Sequence, residues 1–133
     1  MAVILLADDD DRVRFALALV LRDAGHEVHE ADYGGAVLAA MDSVRPDLVI
    51  TDLFMPGMDG IELIKQLRKA RANVRILAIS GGGMHNDPGM ATSLAKLAGA
   101  DRVMAKPIEN DVLLQEVGEM APHADGPLPA NDP

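Results

Sequence analysis

The chain contains no cysteine and no tryptophan, and its one tyrosine and two phenylalanines make only 2% of it aromatic. Lacking cysteine, it can form no disulfide, no thiolate metal site and no cysteine nucleophile, which fits a reducing compartment. Lacking aromatics, it must pack a core from Ala, Val, Leu, Ile and Met, within an apolar content of 49%. No apolar run reaches the roughly 18 residues that a membrane-spanning helix needs. The first residues enter a strand-like segment without the basic region of a secretory leader, so the chain is read as cytoplasmic. Positive charge is also scarce. Twelve Lys and Arg against 21 Asp and Glu leave a net charge of −9, which argues against nucleic acid or an anionic membrane as partner and is compatible with a cation site.

What is present is alternation. Short apolar runs at Val3–Ala7, Glu27–Ala31, Asp47–Thr51, Arg75–Ile79 and Arg102–Ala105 read as strands, and VILLA, LVIT and RILAIS are continuous enough for burial on both faces. Amphipathic segments separate them. Residues 11–24 carry Val13, Leu17, Val20, Leu21 and Ala24 at helical spacing, with Gly25 as the residue just past the helix. Ala-rich residues 34–44 form a second helix. A third opens on Asp59-Gly60-Ile61-Glu62 at capping-box spacing, and a fourth opens on Asp87-Pro88 and closes before Gly99. A fifth covers 109–120. Strict alternation of strand and helix predicts a doubly wound α/β domain over residues 1–120, with a parallel sheet covered on both faces. Residues 121–133, proline-rich and without periodicity, are expected to form a disordered tail.

The apolar run Ile4–Ala7 ends in four consecutive aspartates, Asp8 to Asp11. In an open parallel sheet the functional crevice lies outside the carboxyl ends of the strands. The groups standing there are Asp8 and Asp9 after the first strand, Asp52 after the third, Ser80 after the fourth and Lys106 after the fifth. Oxygen-only donors suit Mg²⁺, with Asp9 and Asp52 as direct ligands and Asp8 acting through a bound water. Carboxylates crowded together repel unless a cation offsets them. An aspartate beside Mg²⁺, facing a hydroxyl and an ammonium, can take a phosphoryl group as an aspartyl phosphate. Asp10 and Asp11 read as the cap and first turn of the first helix, where carboxylates meet the positive end of the helix dipole. His26, His29, His85 and His123 show no ligand spacing and are expected at the surface. Phe15 and Leu19 lie off the core stripe of the first helix, either as peripheral core or as an exposed patch.

The segments ILLADDDD, PDLVITDLFMPGMDG, RILAISGGG and GADRVMAKP, in this order and at these separations, resemble the receiver domain of two-component response regulators, similar to the single-domain chemotaxis type. The resemblance implies a flavodoxin-like (βα)5 fold with a five-stranded parallel sheet of order 2-1-3-4-5. It implies that Asp52 is the phosphoacceptor, that Asp8, Asp9, Asp52 and the backbone carbonyl of Phe54 hold Mg²⁺, and that Ser80 and Lys106 contact the phosphoryl group. It also implies a cis Lys106–Pro107 bond. The phosphoryl donor would be a sensor histidine kinase or a histidine phosphotransfer protein, and the message would pass to a downstream target protein by docking, or by shuttling the phosphoryl group onward. Such a protein is not an enzyme beyond its own phosphorylation and slow dephosphorylation.

Two positions depart from the family pattern. Val103 stands where receivers carry an aromatic residue that follows the switch hydroxyl, so output is expected from the loop after Ser80 and from helix four. Phe54 flanks the path of attacking water while Gly82 leaves the other rim open, so dephosphorylation is expected to be altered. Alternatives are a phosphorylation-independent receiver and a haloacid-dehalogenase-like phosphatase, whose Asp-x-Asp spacing is matched by Asp8 and Asp10. The phosphatase pattern fails at Asp11, and neither its second acidic pair nor its cap domain is present.

Overall fold

The structure is a computed structural model that describes residues 1–55, 57–70, 73–81 and 88–121. The element order is β1 (Val3–Ala7), α1 (Asp11–Asp23), β2 (Glu27–Ala31), α2 (Gly34–Val44), β3 (Leu48–Asp52), α3 (Gly60–Ala70), β4 (Arg75–Ser80), α4 (Pro88–Ala98), β5 (Arg102–Ala105) and α5 (Asn110–Met120). All strand pairs are parallel, and the order across the sheet is β2-β1-β3-β4-β5. This is the doubly wound α/β fold that the alternation predicts, with the flavodoxin-like strand order that the resemblance implies.

Alternate residues of each strand feed two cores. Leu5, Val49, Ile76 and Ala78 pack with Val37 and Met41 of α2, Leu63, Ile64 and Leu67 of α3, and Ala91 and Ala95 of α4. Ile4, Leu6, Leu48, Ile50, Leu77 and Ile79 pack with Leu17, Ala18 and Leu21 of α1 and Leu113, Val117 and Met120 of α5. Helices on both faces leave only the strand ends open, and the loops there carry the polar residues. Among the described residues, no helix is long and apolar enough to cross a membrane.

Several strand and helix ends differ from the expectation. β3 begins at Leu48 because the Asp47 carboxylate accepts the backbone N–H of Val3 at 2.8 Å, tying the residue to β1. It runs through Asp52 because the ladder pairs Asp52 with Ile79, and β4 likewise runs through Ser80, paired with Ala105. Tertiary pairing here overrides the poor strand propensity of Asp. α5 starts at Asn110, with Glu109 as its cap residue.

Asp10 caps α1, its carboxylate accepting the N–H groups of Arg12 and Val13, and Gly25 takes φ +97° just past the helix. Phe15 and Leu19 are exposed at 60% and 57%, so they form an outward patch and not peripheral core. The surface assignment of His26 is overturned: it is half-buried and its Nδ1 accepts the N–H of Ala2 at 3.0 Å. His29 pairs with Glu27 at 2.6 Å. The expected tail from residue 122 onward, the loop 82–87 with Gly82, His85 and the Asp87 cap, and His123 lie outside the described residues.

Candidate functional site

The parallel register places the ends of β1, β3, β4 and β5 side by side. Ala7 is level with Thr51, so Asp8 follows directly across from Asp52. Lys106 follows Ala105, and its backbone N–H donates to the carbonyl of Ser80 at 2.8 Å. Residues far apart in the chain therefore meet at one rim.

Asp8 and Asp52 are buried, at 1% and 4% exposure, while Asp9 is exposed. One carboxylate oxygen from each of the three lies within 4.8 Å of the others. Asp52 is held at both oxygens: Oδ1 accepts the N–H of Phe54 at 3.1 Å and Oδ2 accepts the Lys106 ammonium at 3.0 Å. Its carbonyl accepts the buried Thr51 hydroxyl at 2.9 Å. Asp8 Oδ1 accepts the N–H of Asp10 at 2.9 Å, and the amide of Asp8 donates to the carbonyl of Ala31 at 3.2 Å. Asp8 Oδ2 is buried without a hydrogen-bond partner, 3.5 Å from Lys106 Nζ.

Electrostatics follow from this crowding. Burial, reinforced by the charge of Asp52, raises the Asp8 pKa above the ordinary carboxylate value, against the opposing pull of the Asp10 amide and of Lys106. Burial alone would lower the Lys106 pKa. The hydrogen bond and charge of Asp52, with the charge of Asp8, outweigh it and raise the pKa. One ammonium is shared between two buried carboxylates, so negative charge is left over. A buried carboxylate oxygen without a hydrogen bond, in a cluster of three carboxylates, is the donor set of a hard divalent cation, and Mg²⁺ fits it.

The backbone around Asp52 is shaped by Gly60, the first residue of α3. A Cβ there would lie 2.4 Å from the carbonyl oxygen of Asp52 and 2.6 Å from Cα of Leu53, so only glycine lets α3 approach this closely. Asp59 caps the helix, its carboxylate accepting the N–H of Glu62 at 2.9 Å.

Five of the residues singled out in the sequence, Asp8, Asp9, Asp52, Ser80 and Lys106, thus stand at one rim, with Phe54 two residues beyond Asp52. Ser80 is buried at the end of β4. The side chain of Phe54 packs on the core of the α2–α3–α4 face and lines, with Leu53, Ile61, Ala91 and Leu94, a pocket of about 70 Å³. The Lys106–Pro107 peptide is cis. Asp10 does not join the rim cluster, because its carboxylate is engaged by α1. Arg14 was missed: its guanidinium donates to the carbonyl of Asp8 at 2.7 Å. The only signal for it in the sequence is a cation one turn into a helix that follows four acids.

Known proteins agree with this geometry. The chain is 33% identical over 114 residues to the CAI-1 autoinducer sensor kinase/phosphatase CqsS of Vibrio cholerae, covering 86% of this chain and 16% of that one. It is 31% identical to sporulation initiation phosphotransferase F of Bacillus subtilis, covering 90% of this chain and 93% of the relative. The chain therefore spans well under two thirds of the sensor kinase but nearly all of the phosphotransferase. Among solved structures it is similar to the chemotaxis protein CheY4 of Vibrio cholerae, with a TM-score of 0.82, 30% identity, and coverage of 90% of this chain and 98% of that one. The response regulator receiver domain family, typically phosphoacceptor signalling proteins and not true enzymes, matches residues 4–118. Sheet order, acidic notch and sequence match coincide over the same residues, and the chain belongs to the response regulator receiver domain family.

Proposed function

We propose that this receiver, a single unit over residues 1–120, accepts a phosphoryl group on Asp52 in a Mg²⁺-dependent reaction. The observation that carries the reading is the convergence of three carboxylates and one ammonium, with one buried carboxylate oxygen left without a hydrogen bond. The cation would be held by Asp8, Asp9, Asp52 and the carbonyl of Phe54, and when bound it neutralises charge on the phosphoryl oxygens.

The side chains do the rest by placement. The N–H of Phe54 and the Lys106 ammonium hold the Asp52 carboxylate by one oxygen each, which fixes its direction. An Asp52 oxygen forms the new bond to phosphorus as the donor's bond breaks: P–N in a phosphohistidine, whose imidazole leaves, or P–O in acetyl phosphate, whose acetate leaves. Lys106 then exchanges its carboxylate contact for a phosphoryl oxygen, and the Ser80 hydroxyl donates to another. The donor is a histidine kinase or a histidine phosphotransfer protein.

The message leaves by protein–protein docking or by onward phosphoryl transfer. Docking is assigned to the face of α4, β5 and α5, where Leu94, Leu97 and Val112 are exposed. Val103, packed on the core at the position of the usual aromatic switch, leaves α4 as the moving part. A phosphatase of the haloacid-dehalogenase type is disfavoured because Asp10, the second acid of its motif, caps α1.

Incubation with acetyl phosphate and Mg²⁺, followed by intact mass measurement, tests the reading. A phosphoryl-sized gain in the natural protein and none in Asp52→Asn is the expected result. No gain in either means a receiver that works without phosphate, and an equal gain in both means another acceptor.

A further inference from the structure

Arg14, one turn into α1, places a cation against the acidic loop. Its side chain is 15% exposed and reaches three groups at once. Nη1 donates to the backbone carbonyl of Asp8 at 2.7 Å, Nε to Glu30 Oε1 on β2 at 3.1 Å, and Nη2 pairs with Asp11 at 2.8 Å. Glu30 is itself fixed from the far side by Arg22, at 3.1 Å, and Arg22 also donates to the carbonyl of Val28 at 2.8 Å. The Arg14 fork is therefore held before it touches Asp8.

The carbonyl it grips belongs to the peptide between Asp8 and Asp9. A peptide unit is planar, so a hydrogen bond to its oxygen sets the rotation of the whole plane. That rotation decides the direction in which Asp9 leaves the chain. On the other side of Asp8, the amide is bound to Ala31 and Oδ1 to the N–H of Asp10. Asp8 is thus anchored at its amide, carbonyl and one carboxylate oxygen, and Oδ2 is left buried without a hydrogen bond, 3.5 Å from Lys106 Nζ.

We propose that Arg14 is a positioning residue for the cation site, holding the Asp8–Asp9 peptide so that both carboxylates meet Asp52. The proposal rests on the phosphoacceptor reading only in taking Mg²⁺ as the cation. It makes a claim whose sign opposes simple electrostatics. A nearby positive charge repels Mg²⁺, so by charge alone removing Arg14 would tighten Mg²⁺ binding. Loss of an outer hydrogen bond that orients a ligand weakens it, by about ten-fold or more.

Calorimetric titration with MgCl₂ reads the difference directly. The natural protein, Arg14→Met, Arg14→Lys and Arg22→Met are compared, each checked for folding by circular dichroism. Arg14→Met is expected to bind Mg²⁺ about ten-fold more weakly. Arg14→Lys, which keeps the charge and loses the fork, is also expected to bind more weakly. Arg22→Met, which loosens Glu30 without touching Asp8, is expected to weaken binding less than either Arg14 variant. Amide exchange at Asp9 and Asp10 should quicken in the Arg14 variants alone. Unchanged or tighter binding in Arg14→Met overturns the proposal. If that variant does not fold, unchanged binding in Arg14→Lys overturns it. Failure of the natural protein to bind Mg²⁺ would instead sink the phosphoacceptor reading.

Discussion

Lys106 Nζ lies 3.0 Å from Asp52 Oδ2 and 3.5 Å from Asp8 Oδ2, so one ammonium serves two buried carboxylates from different strands. In this arrangement Lys106 occupies part of the field that a bound cation would use. The same group therefore opposes cation binding and assists phosphoryl transfer, and the two effects can be separated.

Lys106→Met is expected to bind Mg²⁺ at least as tightly as the natural protein, since a competing positive charge is removed from beside Asp8 and Asp52. Its rate of phosphorylation by acetyl phosphate should fall by about 10²-fold, the usual scale for loss of one preorganised group at the transferring oxygens. Calorimetry and a mass time course measure the two separately. Weaker Mg²⁺ binding would contradict the competition.

Asp8→Asn is expected to stabilise the metal-free protein at pH 7 by about 1 kcal/mol, the scale of one buried unsatisfied polar atom, or a few degrees in melting temperature. The sign follows from the raised Asp8 pKa. The folded state holds its proton more tightly than the unfolded chain, so ionised Asp8 costs stability. That cost grows as pH rises above the ordinary carboxylate value of 3.8 through the folded pKa, and is absent below 3.8. The gain in Asp8→Asn should therefore vanish in acid, and Mg²⁺ should no longer raise its melting temperature. Thermal melts at pH 3.5 and 7, with and without Mg²⁺, check both statements.

Gly60→Ala should cost about 1–3 kcal/mol in urea unfolding, because its Cβ meets backbone atoms of Asp52 and Leu53 that cannot turn aside. The displaced segment carries Asp52, so phosphorylation should slow as well. A variant with natural stability and rate would show that α3 can retreat freely.

His26 provides a pH effect remote from the rim. Burial lowers its pKa, and the N–H of Ala2 occupies Nδ1, which a protonated ring could not accept. The unfolded chain takes up the proton first, so this stabilisation is complete above about pH 6.5 and is lost as pH falls through the folded pKa. His26→Asn, which keeps an acceptor and cannot titrate, should lose less stability than the natural protein between pH 7 and 5. Equal losses in chemical denaturation would rule the linkage out.

Much of the fold was legible because local burial leaves a local trace. VILLA, LVIT and RILAIS are apolar throughout because their strands are covered on both faces, and Asp10, Gly25 and Asp59 stand at the helix ends whose unpaired groups or backbone turns require them. The site could be nominated in the same way, since acids, a hydroxyl and a lysine follow buried runs and a parallel sheet gathers such ends at one rim.

Other features depended on partners far off in the chain, and periodicity carries no record of those. The ladder with β4 drew Asp52 into β3, and helix packing left Phe15 and Leu19 outside. His26 is half-buried because β1 passes beside it. Arg14 reaches the Asp8 carbonyl because β2 presents Glu30 to steady the guanidinium. Composition and spacing settle which segments must be buried; only the folded packing decides which polar atoms meet, because a hydrogen bond is made or lost within about half an ångström, far finer than any pattern of residue types can specify.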